Sequence, residues 1–310
     1  METLAFAFSV TGPIFLTLLV GYGLARAKLL SAAFVDGATR LVFLVTLPVL
    51  LFVNIFTADA QLSEETPLLL AGLLGTLLTL PLAWLAARPV ARSDRSVFIQ
   101  GGFRGNLGIV GIAWAFNAYG SSGLAQAALL MAVVTILYNL AAVTLFAVYD
   151  RRGNTWSWRS LTLDILRNPL ILAIVLALLA KQFALSLPQI ALQTGHYLAS
   201  MTLPLALLCI GASLDFSLLR RSTLAAVGAC VFKLVAVPAV LLGCGWLLQL
   251  PPQAMGVLFL MGATPAATVS FIMARAMGGN SQLAANIVAL STLCCIVSAS
   301  AGLVLLQAWL

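Results

Sequence analysis

The chain has 310 residues, 62% of them apolar and only 8% charged, with a formal net charge of +7. A soluble domain is about 25% charged and about half apolar, and one globular core of this length could not bury so much apolar side chain. The composition therefore excludes a soluble enzyme, a nucleic-acid-binding module, a disordered protein and a membrane-tethered protein with a sizeable soluble domain.

Ten apolar runs follow one another, at about 4–24, 38–57, 67–87, 97–118, 124–148, 168–187, 197–214, 223–248, 253–276 and 282–308. A membrane crossing needs roughly 20 such residues, so each run is read as a span. The first lacks a basic lead-in and a cleavage site, and is read as a true span rather than a removed signal. Thirteen basic residues fall on one side of this arrangement. They are Arg26, Lys28, Arg40, Arg88, Arg92, Arg95, Arg151, Arg152, Arg159, Arg167, Arg220, Arg221 and Arg275. The opposite side has Lys181 alone among basic residues, with Asp59, Glu64 and Glu65. Basic loops stay cytoplasmic. The expected location is the inner (plasma) membrane, multi-pass, with both termini extracytoplasmic. The five cysteines lie in apolar runs with no metal-binding spacing and are read as small buried hydrophobes.

Sliding the sequence against itself at an offset of 156 brings Thr46-Leu47-Pro48 onto Thr202-Leu203-Pro204. The same offset puts Pro13 on Pro169, Asp59 on Asp215, Phe103 on Phe259 and Gln126 on Gln282. Five spans per half force the second half to insert upside down, and inverted repeats are typical of secondary transporters. The fold expected is an all-α membrane protein. Its ten transmembrane helices form two inverted five-helix repeats, 1–155 and 156–310.

Spans 4 and 9 carry helix breakers. Span 4 reads Gly101-Gly102-Phe103-Arg104-Gly105-Asn106-Leu107-Gly108-Ile109-Val110-Gly111, and span 9 reads Gly262-Ala263-Thr264-Pro265-Ala266-Ala267-Thr268. Glycine weakens a helix by about 1 kcal/mol relative to alanine, and proline removes a backbone donor and disfavours helix just before it. The offset places Asn106 on Gly262 and Gly108 on Thr264. Two broken helices meeting near the midplane would aim half-helix N-termini and free carbonyls at a common point that suits a carboxylate.

Asn106-Leu107-Gly108-Ile109-Val110-Gly111 resembles a signature of the auxin efflux carrier family. Pro265-Ala266-Ala267 followed by Gly278-Gly279-Asn280 is similar to the matching signature in the family's penultimate span, and Arg40 to Pro48 resembles its second span. The length and short central loop are those of its small prokaryotic members. One departure is Ala113, where many members have proline, so glycine must unwind span 4. The resemblance implies a fold shared with bile-acid-type sodium symporters and some sodium/proton antiporters. Spans 1, 2, 6 and 7 would form a scaffold, with a homodimer through spans 2 and 7. Spans 3–5 and 8–10 would form a moving domain that carries the crossover. It implies transport of small organic anions such as malate, malonate or auxin-like acids by an elevator-type mechanism.

Two cations lie at depth, Arg104 in span 4 and Lys233 about eleven residues into span 8. A charge at mid-membrane costs at least about 2.5 kcal/mol and marks function. Lys233 is read as an anion counter-charge or a proton-linked site, Arg104 as a guide for anions or a residue snorkelling to the inner headgroups, and Asn139 as a hydrogen-bond donor into the crossover or a bond to a neighbouring helix. The expected substrate site is thus Asn106, Gly108, Gly111, Thr264, Pro265, Ala266, Asn139, Lys233 and Arg104. No cofactor is expected, and the coupling ion is left open between proton and sodium. An anion or small-solute channel is the alternative. An intramembrane enzyme is disfavoured because the spans hold no acid–base pair or HExxH-like motif.

Overall fold

In the computed structural model the described residues are 2–57, 65–149, 163, 166–214 and 223–309. Asp59, Glu64, Arg151, Arg152, Arg159, Asp215, Arg220 and Arg221, which carried part of the orientation and repeat reading, lie outside them. Among the described residues the structure is helical, and an isolated antiparallel bridge joins Gly105 to Ala266.

Among the described residues, seven segments are long and apolar enough to cross a membrane. Six of them are α1 (Glu2–Arg26), α2 (Ala32–Thr57), α3 (Thr66–Ala86), α7 (Gln189–Ala212), α8 (Leu224–Leu247) and α11 (Ser281–Trp309). The seventh is α5 (Ile112–Tyr149) with the wide π turn Leu107–Gly111 that leads into it. Shorter helices are α4 (Arg95–Phe103), α6 (Pro169–Gln182), α9 (Pro252–Gly262) and α10 (Thr268–Met277).

The boundaries follow local chemistry. The Ser31 side chain accepts the Phe34 N–H and starts α2 six residues before the expected span, which places Arg40 inside the helix. The Asn168 side chain accepts the Leu170 N–H, and Pro169 occupies the first turn of α6, where its missing donor costs nothing. Gly278, at φ 85°, ends α10 in the left-handed conformation that glycine tolerates. The expected gap between spans 4 and 5 is reduced to one non-helical residue, Gly120 (φ 62°, ψ −148°). Helix resumes at once on either side of it.

Two packing groups emerge. In one, α1 packs on α7, and α2 packs on α6 and α7. In the other, α3 packs on α8, α4 and α5, α9 packs on α5 and α8, and α11 packs on α4, α8 and α10. The groups meet where α1 contacts α5 and α11. The α1–α7 contact is backbone to backbone. A Cβ on Gly21 would strike the Leu208 carbonyl, and one on Gly211 would strike the Leu18 carbonyl.

Polar ties hold the second group at its two ends. At one, Gln126 donates to Glu65 (3.0 Å) and accepts from Gln253 (3.2 Å). At the other, Asn280 donates to Asp94 (2.9 Å) and accepts the Leu283 N–H. Gln126 is thus an interface residue joining the starts of α3 and α9.

The α1–α7 contact yields a stability prediction. Gly211→Val should destabilise by about 1–3 kcal/mol, as overpacking does, and lower the melting temperature in detergent. Gly12→Ala, with nothing within 4 Å of the added carbon, should not.

Candidate functional site

The glycine-rich stretch of the fourth apolar run unwinds at Arg104–Asn106. α4 ends at Phe103, Arg104 is extended (φ −83°, ψ 105°), and Asn106 (φ −79°, ψ 67°) leads into the π turn. In the ninth run α9 ends at Gly262, and α10 restarts at Thr268 after an extended Ala267 (φ −69°, ψ 136°). Pro265 stands between them, where its ring and missing N–H oppose a continuous helix.

The two unwound segments pair with each other. The Asn106 N–H donates to the Pro265 carbonyl (2.8 Å), and the Ala267 N–H donates to the Arg104 carbonyl (3.0 Å). Gly105 and Ala266 face each other between these bonds as a non-hydrogen-bonded antiparallel pair, the type in which side chains approach most closely. That geometry requires glycine at 105: a Cβ there would strike the Thr264 hydroxyl and lie 3.2 Å from Lys233 Cε. The Ala266 N–H points away from the pair and donates to the Ser291 hydroxyl of α11 (3.0 Å).

The cations sit on either side of this pairing. Lys233 is fully buried in a π turn of α8, Phe232–Ala236. Its ammonium donates to the Gly262 carbonyl (2.6 Å), at the C-terminal, partially negative end of α9. Arg104 is 7% exposed. Its Nη2 donates to Asn139 Oδ1 (2.8 Å), and Nη1 lies 3.5 Å from both the Tyr138 carbonyl and Met273 Sδ, at the outer limit of a hydrogen bond. Neither cation has a carboxylate partner among the described residues. Asn139 Oδ1 thus accepts from Arg104, since a guanidinium can only donate, and this bond ties α5 to the first break.

The residues singled out in the sequence come together here. Arg104, Asn106, Thr264, Pro265 and Ala266 form or border the paired segments. Asn139 and Lys233 bond Arg104 and the end of α9. Gly108 and Gly111 lie one turn on, where an added Cβ would meet Met131 and Leu47 at 108 and would strike Met261 at 111. The gapless offset does not align the breaks. It puts Phe103 on Phe259, whereas the helices end at Phe103 and Gly262, three residues out of register.

Three polar residues beside the breaks escaped the sequence reading: Ser291, Gln100 and Ser270. Ser291 holds the Ala266 N–H. Gln100 Oε1 and the Ser270 hydroxyl are buried without partners. Polar type within an apolar run was the available signal, but nothing local separates these from the many serines that bond their own helix.

Residues 150–301 match the model of a family described as membrane transport protein. The matched stretch contains Lys233, the Pro265 break and Ser291. The match, over just under half of the chain, agrees with the resemblance of its motifs to the auxin efflux carrier family. An uncharacterized transporter of Methanocaldococcus jannaschii is 24% identical over 173 residues, 54% of this chain and 54% of the relative. The match thus spans about half the length of that relative. The match and the apolar helices together mark a multi-pass membrane protein.

Ser291→Ala should leave the Ala266 N–H unpaired in an apolar interior, at a cost of about 1–3 kcal/mol. The expected readout is a lower melting temperature of the purified protein. An unchanged one would mean that the backbone donor finds another acceptor.

Proposed function

We propose that this protein is a member of the auxin efflux carrier family and a secondary transporter of small organic anions, working by alternating access around the paired breaks. One observation carries the reading. Two buried cations, Arg104 and Lys233, flank the unwound segments with no carboxylate partner among the described residues. An uncompensated buried cation is costly, and an incoming carboxylate offsets that cost. Arg104 is the better placed for it, since its guanidinium has donors to spare and a planar fork that matches a carboxylate.

The packing groups support an elevator-type movement. α1, α2, α6 and α7 would be the scaffold, and the helices carrying both breaks would move as one body. The pattern α1 on α7 and α2 on α6 has the reciprocity of two inverted five-helix repeats, which supports ten crossings with broken spans 4 and 9. A second copy would pack against α2 and α7. The basic loops support a plasma-membrane location with both termini extracytoplasmic.

Lys233 also bears on coupling. Its ammonium already occupies the carbonyl end of α9, where a bound sodium would otherwise be drawn. Proton coupling or uniport fits that occupancy better than sodium symport. The channel alternative gains no support from a family of membrane transporters.

Uptake of labelled malate, malonate and an auxin-like acid into proteoliposomes tests the reading. Arg104→Gln should reduce uptake about ten- to a hundredfold, the loss of one charge-assisted contact, and Asn106→Ala and Pro265→Ala should reduce it as well. Wild-type protein that moves none of these acids, or uptake undiminished in all three variants, would overturn it. Replacing sodium by choline should leave wild-type uptake unchanged, and loss of uptake in choline would restore sodium as the coupling ion.

A further inference from the structure

Six threonines in the helices bond a backbone carbonyl four residues back: Thr11 to Ala7, Thr17 to Pro13, Thr57 to Val53, Thr144 to Leu140, Thr194 to Ile190 and Thr292 to Val288. Thr46 and Thr202 do not. They are 0% and 1% exposed, and neither hydroxyl has a partner. They open the two Thr-Leu-Pro triplets that are the strongest feature of the sequence repeat.

The helical hydrogen-bond ladder is irregular at each. The Val42 carbonyl, four residues before Thr46, takes the Leu47 N–H in the π turn Val42–Thr46. The Leu198 carbonyl, four before Thr202, takes the Met201 N–H (3.3 Å) where α7 is interrupted. An unpaired buried hydroxyl is unfavourable, and two in corresponding places of a repeat point to a shared use.

Their surroundings supply one. The turn Val42–Thr46 packs against Thr202–Ala212, and Thr202–Ala212 packs against Leu107–Gly111, the turn that follows the first break. Leu47, beside Thr46, is within 3.7 Å of where a Cβ on Gly108 would stand. Both threonines thus lie near the middle of helices that border the paired breaks from the scaffold side.

We propose that the Thr46 and Thr202 hydroxyls are the scaffold half of the substrate site, donating hydrogen bonds to a second polar group of an organic acid whose first carboxylate sits by Arg104. This rests on the organic-anion reading and narrows it. The substrate class is dicarboxylates and hydroxy acids, rather than acids with one carboxylate on an apolar body. A site with buried hydrogen-bonding groups rejects a ligand that leaves them unpaired.

Succinate and butyrate, of equal chain length, test this on the purified protein by ligand-induced thermal shift and titration. Wild type should bind succinate at least tenfold more tightly than butyrate. Thr46→Val and Thr202→Val should each lose about tenfold in succinate affinity, with butyrate affinity unchanged. Without ligand these variants should melt at or above the wild-type temperature, because each removes an unpaired hydroxyl. Thr46→Ser and Thr202→Ser, which keep the hydroxyl, should retain succinate binding. Valine variants that bind succinate as wild type does, or that melt lower without ligand, would overturn the proposal and leave the anion reading standing. Wild type that binds neither acid would overturn both.

Discussion

Everything around the candidate site depends on two hydrogen bonds between stretches of backbone that are not helical. In hydrocarbon an unpaired N–H or C=O costs several kcal/mol, so irregular backbone persists there only where protein satisfies it. Here each break satisfies the other. Asn106 donates to Pro265, and Ala267 donates to Arg104. Two further backbone groups are met by side chains, the Ala266 N–H by Ser291 and the Gly262 carbonyl by Lys233. Gly105 is required because the paired strands approach too closely for a Cβ.

That arrangement concentrates charge as well as irregularity. Lys233 completes the end of α9, while Arg104 faces the opposite side of the pairing, held by an amide rather than an acid. The two perform different tasks. The ammonium is engaged by the fold, whereas the guanidinium keeps donors free. On the proposed reading, a positive, buried centre with one cation already engaged suits a passing carboxylate.

The way the helices divide bears on movement. α1 and α7 touch through glycine, backbone against backbone, which ties one group tightly. The other group is tied by the crossed breaks and by polar links at both ends, through Glu65, Gln126 and Gln253 and through Asp94 and Asn280. Each group is internally braced, and the proposed elevator-type movement would shift one group on the other.

Much of this was legible in the sequence because its signals are local. Composition determined the membrane class, and apolar run length determined most helices. The Gly-rich stretch at 101–111 and Pro265 located the breaks within a few residues, since both act on their own backbone. Other features needed the tertiary structure. The register between the breaks is three residues from the gapless offset, and their pairing joins residues about 160 apart in the chain. The partner of Ala266 comes from α11, and Asn139 accepts from Arg104. Thr46 and Thr202 read as helical threonines like any other. Only the folded structure shows that their hydroxyls are buried and unpaired, beside a π turn and an interruption of α7. A single chain position specifies its own conformational preferences, and the fold alone decides which groups it must satisfy.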